Sequence, residues 1–472
     1  MVAQTTWTFF FFALGGVQAF YPDQQHHKHA KTAAKPANLG TRDNTFDIVD
    51  ARKTTQKNSA PVDQDGSDLT YMTTVTFGDS KTEYHMLLDS AGSESWIYGS
   101  DCTADPCQKH NTLGPTDSST LQVQSSTFSV GYGTGNVNGV FASDTVALAG
   151  LSVPMTFGLV SNASSDLNIY AMDGIIGLGI APESTSTIMN ALSQQHAIPT
   201  KIFGIHLSRN VNGENGNDGE IDFGAPNNNF YSEDLVYIDA ISDESFWQIP
   251  VDGAGVDGKQ AEIGSRSALL DTGTSFIYLP PSDAAAIHSL IPGSVQNGED
   301  FTIPCDSQSQ VQISFSGTTF NISTKDILGG SSDSSKNCDS HIVGRTTFGS
   351  SQWLLGDAFL KNVYTVFDFD QNRVGLGTIN KESTTTSASS STSSTSGSSS
   401  SSTSSESTSP TDASPLIATS SSNASTSTTS STSSSSQTQT PTPSGSDRGV
   451  DFGIGTMILG LVCTAVLAAL AL

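Results

Sequence analysis

Two stretches of this sequence each present a carboxylate at the end of an apolar run. Asp89 follows three apolar residues and precedes the hydroxyl residue Ser90. Asp271 follows two leucines and precedes Thr272. A strand that ends in an acid offers that acid to something outside the core, and two such acids form a pair suited to general acid and base catalysis. The alternative interpretation is a pair of unrelated turns that each begin with aspartate.

The elements around these acids are predicted to be short strands. Residues 71–78 alternate in polarity and are rich in β-branched side chains, which is typical of a strand. Residues 128–135 predict a strand that runs into a glycine-rich hairpin carrying Tyr132 on a mobile arm. The globular body, residues 61–380, is therefore expected to be mainly β.

Helical patterns are few in the body. The best two are Thr185 to His196 and Ser282 to Leu290, with Ser282 as the candidate N-cap of the second after two prolines.

A repeat also divides the body. Ile175-Ile176-Gly177 follows the first acid, and Leu354-Leu355-Gly356 follows the second at a similar distance. The sequence therefore predicts two lobes of like plan, with one acid from each lobe facing a shared cleft.

The charge of the chain excludes one class of partner. The 472 residues carry a net charge of −26, and the acidic residues concentrate in the body. Because phosphate recognition needs the opposite sign, nucleic acid is excluded as a partner. An acidic medium would neutralise much of this charge, although solubility alone also explains it.

The two ends of the chain differ from the body in composition. Residues 1–19 are interpreted as a signal peptide. Residues 381–446 are almost wholly serine and threonine, so they are expected to form an extended stalk. Residues 447–472 contain an apolar stretch preceded by small residues, which favours a removed tail and a GPI anchor over a retained membrane helix. We therefore expect secretion to the cell surface, with attachment to the plasma membrane or the cell wall.

A basic segment precedes the acidic body. Residues 20–60 carry seven lysines and arginines against four acids, together with three clustered histidines. Such a segment is able to pair with the acidic body, and the pairing would weaken as pH falls through the pKa values of its carboxylates. We interpret it as a pro-segment, with Arg52-Lys53 as either a processing site or a solvated charge cluster.

Four of the five cysteines lie within the body. In an exported chain these four cysteines are expected to form two disulfides, and they can pair in three ways. We expect the pairs that are local in sequence, Cys102 with Cys107 and Cys305 with Cys338. Apart from the three clustered near the N-terminus, the histidines are scattered and no zinc-binding spacing occurs, so neither a metal nor a cofactor is expected. The candidate glycan acceptors are Asn162, Asn321 and Asn423.

The motifs of the body resemble the pepsin-like aspartic protease family over nearly all of residues 65–380. Beside the two acid elements they include the flap-like Tyr132-Gly133-Thr134-Gly135, Trp96, Asp173-Gly174-Ile175-Ile176-Gly177 and Trp353-Leu354-Leu355-Gly356-Asp357, with one short and one longer cysteine loop. The stalk and the anchor-type tail are similar to the yapsin-type, surface-anchored fungal members of that family.

The resemblance implies a bilobal fold and an acid endopeptidase that acts on peptide or protein substrates as a monomer. Asp89 and Asp271 would be catalytic, because two adjacent carboxyls share one proton and can activate a water between them. The residues implied to support the pair are Ser90, Thr272, Gly273 and Thr274. The flap residues implied to close over the substrate are Tyr132, Gly133 and Thr134.

The first acid element departs from the family pattern Asp-Thr-Gly-Ser. Ala91 places a Cβ where the family has glycine, so we expect it to crowd the backbone. Gly92 lacks a hydroxyl, which removes a hydrogen bond to Asp89 and should raise its pKa. An alternative function follows from this departure: a weak or inactive protease-like wall glycoprotein that binds peptide or wall polymer.

The substrate preference of the cleft stays open. An apolar lining is expected from Leu87, Tyr132, Leu167 and Met172, which favours apolar side chains beside the scissile bond. The nearby Asp166 would instead receive lysine or arginine. Trp96 is expected in the core, and Asp173 and Asp357 are expected to be turn or network residues rather than catalysts.

Overall fold

The computed structural model describes residues 44–380, except residue 55 and residues 210–216, 242–245 and 332–335. The signal peptide, most of the pro-segment, the stalk, the C-terminal tail and Asn423 lie outside the described residues. Those predictions remain predictions. Within the part that is described, no helix is long and apolar enough to cross a membrane.

The described chain is mainly β, as the sequence predicted. Its strands are β1 (Ser59–Pro61), β2 (Asp63–Gln64), β3 (Tyr71–Phe77), β4 (Tyr84–Asp89), β5 (Trp96–Tyr98), β6 (Gln122–Tyr132), β7 (Gly135–Leu148), β8 (Leu151–Ala163), β9 (Gly174–Gly177), β10 (Ile202–His206), β11 (Glu220–Phe223), β12 (Tyr231–Asp239), β13 (Gln248–Val251), β14 (Gly253–Val256), β15 (Lys259–Gln260), β16 (Arg266–Leu270), β17 (Ile277–Leu279), β18 (Val295–Asn297), β19 (Asp300–Pro304), β20 (Val311–Phe315), β21 (Thr318–Ile322), β22 (Asn337–Asp339), β23 (Ile342–Gly344), β24 (Gln352–Leu355), β25 (Val363–Asp368) and β26 (Arg373–Ile379). Its helices are α1 (Ile188–Gln194), α2 (Pro281–His288), α3 (Thr324–Ile327) and α4 (Asp357–Leu360).

The strands form two lobes and a sheet shared between them. The first lobe is one eight-stranded sheet in the order β2-β3-β4-β9-β5-β8-β7-β6. The second lobe holds a five-stranded sheet, β13-β16-β24-β17-β23, with a four-stranded and a three-stranded sheet. A six-stranded sheet, β1-β11-β10-β25-β26-β12, takes strands from both halves of the chain. This is the bilobal fold that the motifs implied.

The repeat found in the sequence corresponds to one strand arrangement used twice. In the first lobe β4 runs parallel to β9, which also pairs antiparallel with β5. In the second lobe β16 runs parallel to β24, which also pairs antiparallel with β17. The apolar residues of β4 and β16 next to the acids are buried, so each strand is anchored in its core and holds its terminal acid at the strand end.

The two predicted helices are present with shorter bounds. Thr187 caps α1, because its side chain accepts a hydrogen bond from the Asn190 N–H. Helix α2 begins at Pro281 with Pro280 as its N-cap, so the prediction of Ser282 as the N-cap is wrong. The fixed φ of proline suits the first helical position, which moves the start of the helix before the serine.

Residues that precede the body pack against it. Val49 forms an isolated antiparallel β-bridge with Gln64. The ring of Phe46 stacks on the ring of His110, with 5.0 Å between the ring centroids. Strand β1 pairs with β11 at the edge of the shared sheet. The end of the segment that we interpreted as a pro-segment therefore lies on the folded body, and its removal stays a prediction.

Candidate active site

Two hydroxyl side chains tie the acid-bearing loops together. The Ser90 N–H donates to Thr272 Oγ1 at 3.0 Å, and the Thr272 N–H donates to Ser90 Oγ at 3.0 Å. Each hydroxyl then donates to the opposite strand, Ser90 to the Leu270 carbonyl at 2.9 Å and Thr272 to the Leu88 carbonyl at 2.6 Å. All of these groups are buried. The four bonds fix the spacing of the two loops because no hydroxyl or amide in the set is left without a partner.

The carboxylate of Asp271 is held by its own loop. The Gly273 N–H donates to Asp271 Oδ1 at 2.8 Å, and Thr274 Oγ1 donates to Asp271 Oδ2 at 2.5 Å. Both carboxylate oxygens therefore have a donor. A Cβ at Gly273 would lie 3.1 Å from Asp271 Oδ1 and 3.2 Å from Asp89 Oδ1. The two carboxyl groups therefore face one small space beside residue 273. A side chain at that position would occupy this space, so glycine is required there.

The carboxylate of Asp89 is held on one oxygen only. The N–H groups of Ala91 and Gly92 both donate to Asp89 Oδ1, at 2.9 and 2.7 Å. Among the described residues, no backbone, amide or hydroxyl donor reaches the buried Asp89 Oδ2. The missing hydroxyl at Gly92 therefore leaves the two loops unequal.

The side chain of Ala91 packs away from solvent. Its side chain is buried in an apolar cluster with Leu69, Leu269, Phe276 and Leu354. The extra methyl group packs against residues of the second lobe, because the adjoining surface there is apolar.

Burial governs the titration of both acids. Burial and the neighbouring charge of Asp271 raise the pKa of Asp89 well above its usual value. Burial raises the pKa of Asp271 to about 7, although the bonds from Thr274 and Gly273 favour its ionised form. Two close buried carboxyls cannot both ionise freely, so the pair retains one proton through mildly acidic pH.

The flap hairpin places Tyr132 within the electrostatic influence of the first acid. Tyr132 ends β6 and pairs with Gly135 across a turn made of Gly133 and Thr134. The Tyr132 hydroxyl accepts a hydrogen bond from Trp96 Nε1 at 2.7 Å. Burial and the charge of Asp89 raise the pKa of Tyr132, so its hydroxyl stays protonated. The sequence placed Trp96 in the core but did not reveal that its indole orients the flap tyrosine.

The residues expected to line the cleft lie together. Leu87, Leu167 and Met172 are buried in one apolar cluster with Tyr132 and Trp96. Asp166 is exposed, and its Cβ lies 3.8 Å from where a Cβ of Gly135 would be. The apolar set therefore belongs to the core that packs on Tyr132, and its role in lining the cleft stays a prediction, while Asp166 is exposed beside the flap turn.

Asp173 and Asp357 are two further acids, and their surroundings differ from each other. Asp173 accepts hydrogen bonds from Asn44 Nδ2, the His85 N–H and Asn111, as expected of a network residue. Asp357 is buried, and its oxygens have no hydrogen-bond partner among the described residues. Burial raises the pKa of Asp357 well above its usual value. Its backbone N–H donates to the Thr274 carbonyl at 2.7 Å and thereby supports the second loop.

The remaining candidate residues are the cysteines and the glycan acceptors. The structure contains the disulfides Cys102–Cys107 and Cys305–Cys338, which are the two local pairs expected from the sequence. Asn162 and Asn321 are exposed. Over the described ranges, no cluster of three or more histidine, cysteine or acidic side chains has a geometry that would hold a metal ion.

Comparison with known proteins assigns the chain to a family. The model of the family "Eukaryotic aspartyl protease" matches residues 70–379. The chain is 43% identical over 339 residues to the aspartic-type endopeptidase ctsD of Aspergillus fumigatus, covering 71% of each chain. It is 39% identical to a probable aspartic-type endopeptidase CTSD of Trichophyton verrucosum, covering 76% of this chain and 73% of the relative. It is 30% identical to pepsin A of Sus scrofa, covering 66% of this chain and 82% of the relative.

Proposed function

The chain belongs to the eukaryotic aspartyl protease family, and from this we propose that it is an aspartic endopeptidase in which Asp89 and Asp271 hydrolyse peptide bonds at acidic pH. The observation that carries the proposal is the pair of buried carboxyls held around Gly273 by the bonds between Ser90 and Thr272.

The two acids have different roles in this proposal. Both oxygens of Asp271 accept hydrogen bonds, so its ionised form is favoured. Asp89 has one oxygen without a donor, and its pKa is raised further by burial and by the charge of Asp271. Asp271 therefore acts as the general base, and Asp89 holds the shared proton.

The chemistry follows from these protonation states. Asp271 removes a proton from the attacking water, while Asp89 donates its proton to the carbonyl oxygen of the scissile peptide. The resulting tetrahedral diol collapses when Asp271 passes the proton that it took from water to the leaving nitrogen and Asp89 takes back a hydroxyl proton of the diol. Both acids thereby return to their starting states, and no residue is acylated. Tyr132 on the flap covers the substrate and limits the entry of further water.

The substrate is an extended peptide or a segment of protein. The apolar cluster of Leu87, Leu167, Met172 and Tyr132 supports a preference for apolar side chains beside the scissile bond. Asp166, exposed at the rim, supports tolerance of a basic side chain there.

The test is proteolysis of a denatured protein from pH 3 to 7. The full chain, expressed with its pro-segment, is compared with Asp271→Asn, and pepstatin is added to each. Cleavage that is greatest at acidic pH, is lost in the variant and is blocked by pepstatin supports the proposal. A folded, processed protein that cleaves at no pH would overturn it and favour a protein that binds peptide or wall polymer without turnover.

We also propose that the enzyme is displayed at the cell surface as a GPI-anchored, yapsin-type monomer. The apolar N-terminal and C-terminal segments, the serine and threonine stalk, and the two disulfides support this location. Release of the protein from intact cells by a phosphatidylinositol-specific phospholipase C would support the anchor. Retention on the cells after that treatment, with release by mild detergent, would indicate a membrane helix instead.

A further inference from the structure

The flap is tied to the first lobe by a second set of contacts that do not involve Tyr132 or Trp96. The Ser164 N–H donates to the Asn136 carbonyl at 2.9 Å. The Asn136 N–H donates to Ser164 Oγ at 2.9 Å, and Ser164 Oγ donates to Asn136 Oδ1 at 2.6 Å. We name these three hydrogen bonds the Ser164–Asn136 clasp.

The clasp lies close to the tip of the flap. Strand β8 ends at Ala163, which pairs with Val137 of β7. Asn136 pairs with Gly131 one step below the turn, and Tyr132 pairs with Gly135 at the turn itself. The clasp therefore extends the hydrogen bonding between β7 and β8 by one residue. The chain of β8 lies beside the flap hairpin almost as far as the turn at its tip.

The packing at the turn depends on the same serine. A Cβ on Gly135, whose φ is +144°, would lie 2.9 Å from the Ser164 Cβ. The side chain at position 164 therefore fills the space directly beside the turn. Ser164 is also the N-cap residue of the short 3₁₀ helix Ser165–Ile169, whose Leu167 is buried in the apolar cluster of Tyr132.

From this geometry we infer that Ser164 is a positioning residue, which holds the flap in the position seen in the structure by hydrogen bonding to Asn136 and so sets the affinity for peptide. This inference rests on the proposed function. The clasp is at the surface, so its bonds compete with water and are individually weak. A weak tether suits a flap that must open for every substrate and close again.

Ser164 also supplies the hydroxyl of the glycan acceptor sequence that begins at Asn162. A change at Ser164 in the natural chain would therefore alter the glycan and the clasp together. The experiment avoids this by using Asn162→Gln as the background, because no variant in that background can be glycosylated at residue 162. Within it, Ser164→Ala removes the hydroxyl and Ser164→Thr retains it.

The expected result is a change in KM with little change in kcat. Loss of the hydroxyl should raise KM for a peptide substrate about two- to fivefold, which corresponds to one or two exposed hydrogen bonds. Because the dyad is untouched, kcat should stay within about twofold. The Ser164→Thr variant should restore the KM of the Asn162→Gln parent. Equal KM values for Ser164→Ala and its parent would overturn the inference.

Amide hydrogen exchange of residues 128–141 provides a readout that needs no catalysis. Ser164→Ala should speed exchange in this segment relative to its parent, and Ser164→Thr should not. If the parent protein shows no proteolysis, the proposed function fails while this exchange test of the clasp still applies. Unchanged exchange in Ser164→Ala would reject the clasp even in an active enzyme.

Discussion

The loops that carry Asp89 and Asp271 share one backbone frame and differ in what surrounds their carboxylates. The frame is symmetric, since Ser90 and Thr272 each accept from the other's N–H and each donate to the other strand's carbonyl. The surroundings are not, since Thr274 donates to Asp271 Oδ2 and Gly92 has no side chain to do the same for Asp89.

This difference shows that one set of contacts fixes the position of the two acids and another set controls their protonation. The hydroxyl bonds of the frame place both acids, and they tolerate the exchange of threonine for serine because only the hydroxyl is used. The outer donors decide how stable each carboxylate is, and one missing hydroxyl is enough to make Asp89 the better holder of the proton. A fold with pseudo-symmetry can therefore assign two roles to two like residues through a single neighbouring side chain.

The largest expected effect comes from removing either acid. Asp89→Asn and Asp271→Asn should each lower kcat by about 10²- to 10⁴-fold, because each deletes one partner in proton transfer. Peptide cleavage at the pH optimum measures this, with a thermal melt to show that each variant is folded. The exposed Asp234→Asn serves as the matched control and should stay near the parent. If one dyad variant kept most of its activity, the two-acid mechanism would be wrong.

Asp222 is a buried acid outside the active site, so its titration should affect stability without affecting catalysis. Burial and the neighbouring Glu220 raise the pKa of Asp222 to about 7, and Ser59 Oγ and the Tyr364 hydroxyl donate to it. A carboxyl whose folded pKa is raised stabilises the native state fully below its unfolded pKa, and that stability is lost as pH rises towards 7. The free energy of unfolding should therefore fall between about pH 4 and pH 7.

Asp222→Asn tests that expectation. In this variant the fall in the free energy of unfolding between pH 4 and pH 7 should be smaller by at most about 4 kcal/mol. That value is the upper bound for a pKa shift of this size in one carboxyl. Denaturant titrations at pH 4, 5.5 and 7 measure it, and activity at pH 4 should be retained. A pH dependence identical to that of the parent would show that Asp222 titrates normally.

The symmetry of the frame is tested by its two hydroxyls. Ser90→Ala and Thr272→Val should each lower the free energy of unfolding by about 1–3 kcal/mol, because each leaves a buried N–H and a carbonyl without a partner. Equal losses would support the symmetric frame, and a large loss at only one position would contradict it. Ser126→Ala removes an exposed hydroxyl and should change stability by less than about 0.5 kcal/mol.

The smallest expected effects are opposite shifts of the pH profile. Gly92→Ser should provide a donor for Asp89 Oδ2, which lowers the pKa of the pair and moves the alkaline limb of kcat/KM to lower pH. Thr274→Val removes the donor to Asp271 Oδ2, which raises the pKa of the general base, so the acid limb of kcat/KM should move to higher pH. Initial rates from pH 3 to 7 measure both. Shifts in the same direction would show that the outer donors do not control the pair.

Much of the fold and of the candidate site was accessible from sequence patterns. The apolar runs before Asp89 and Asp271 indicated buried strands, and the two apolar pairs followed by Gly177 and Gly356 indicated the repeat. These signals are local, since burial of a strand requires apolar side chains along it. The N-cap of α2 was missed because proline and serine compete for neighbouring positions at a helix start.

The sequence by itself determined which groups can react and which are missing: two acids with adjacent hydroxyls, and a glycine at residue 92 where a donor would stand. The tertiary structure alone decided the rest. It shows Ala91 packed on the second lobe, the Trp96 indole bonded to Tyr132, and Ser164 joined to Asn136. These contacts join residues far apart in the chain or in different strands, and nothing in a local pattern specifies which distant surface a side chain meets once the strands have packed.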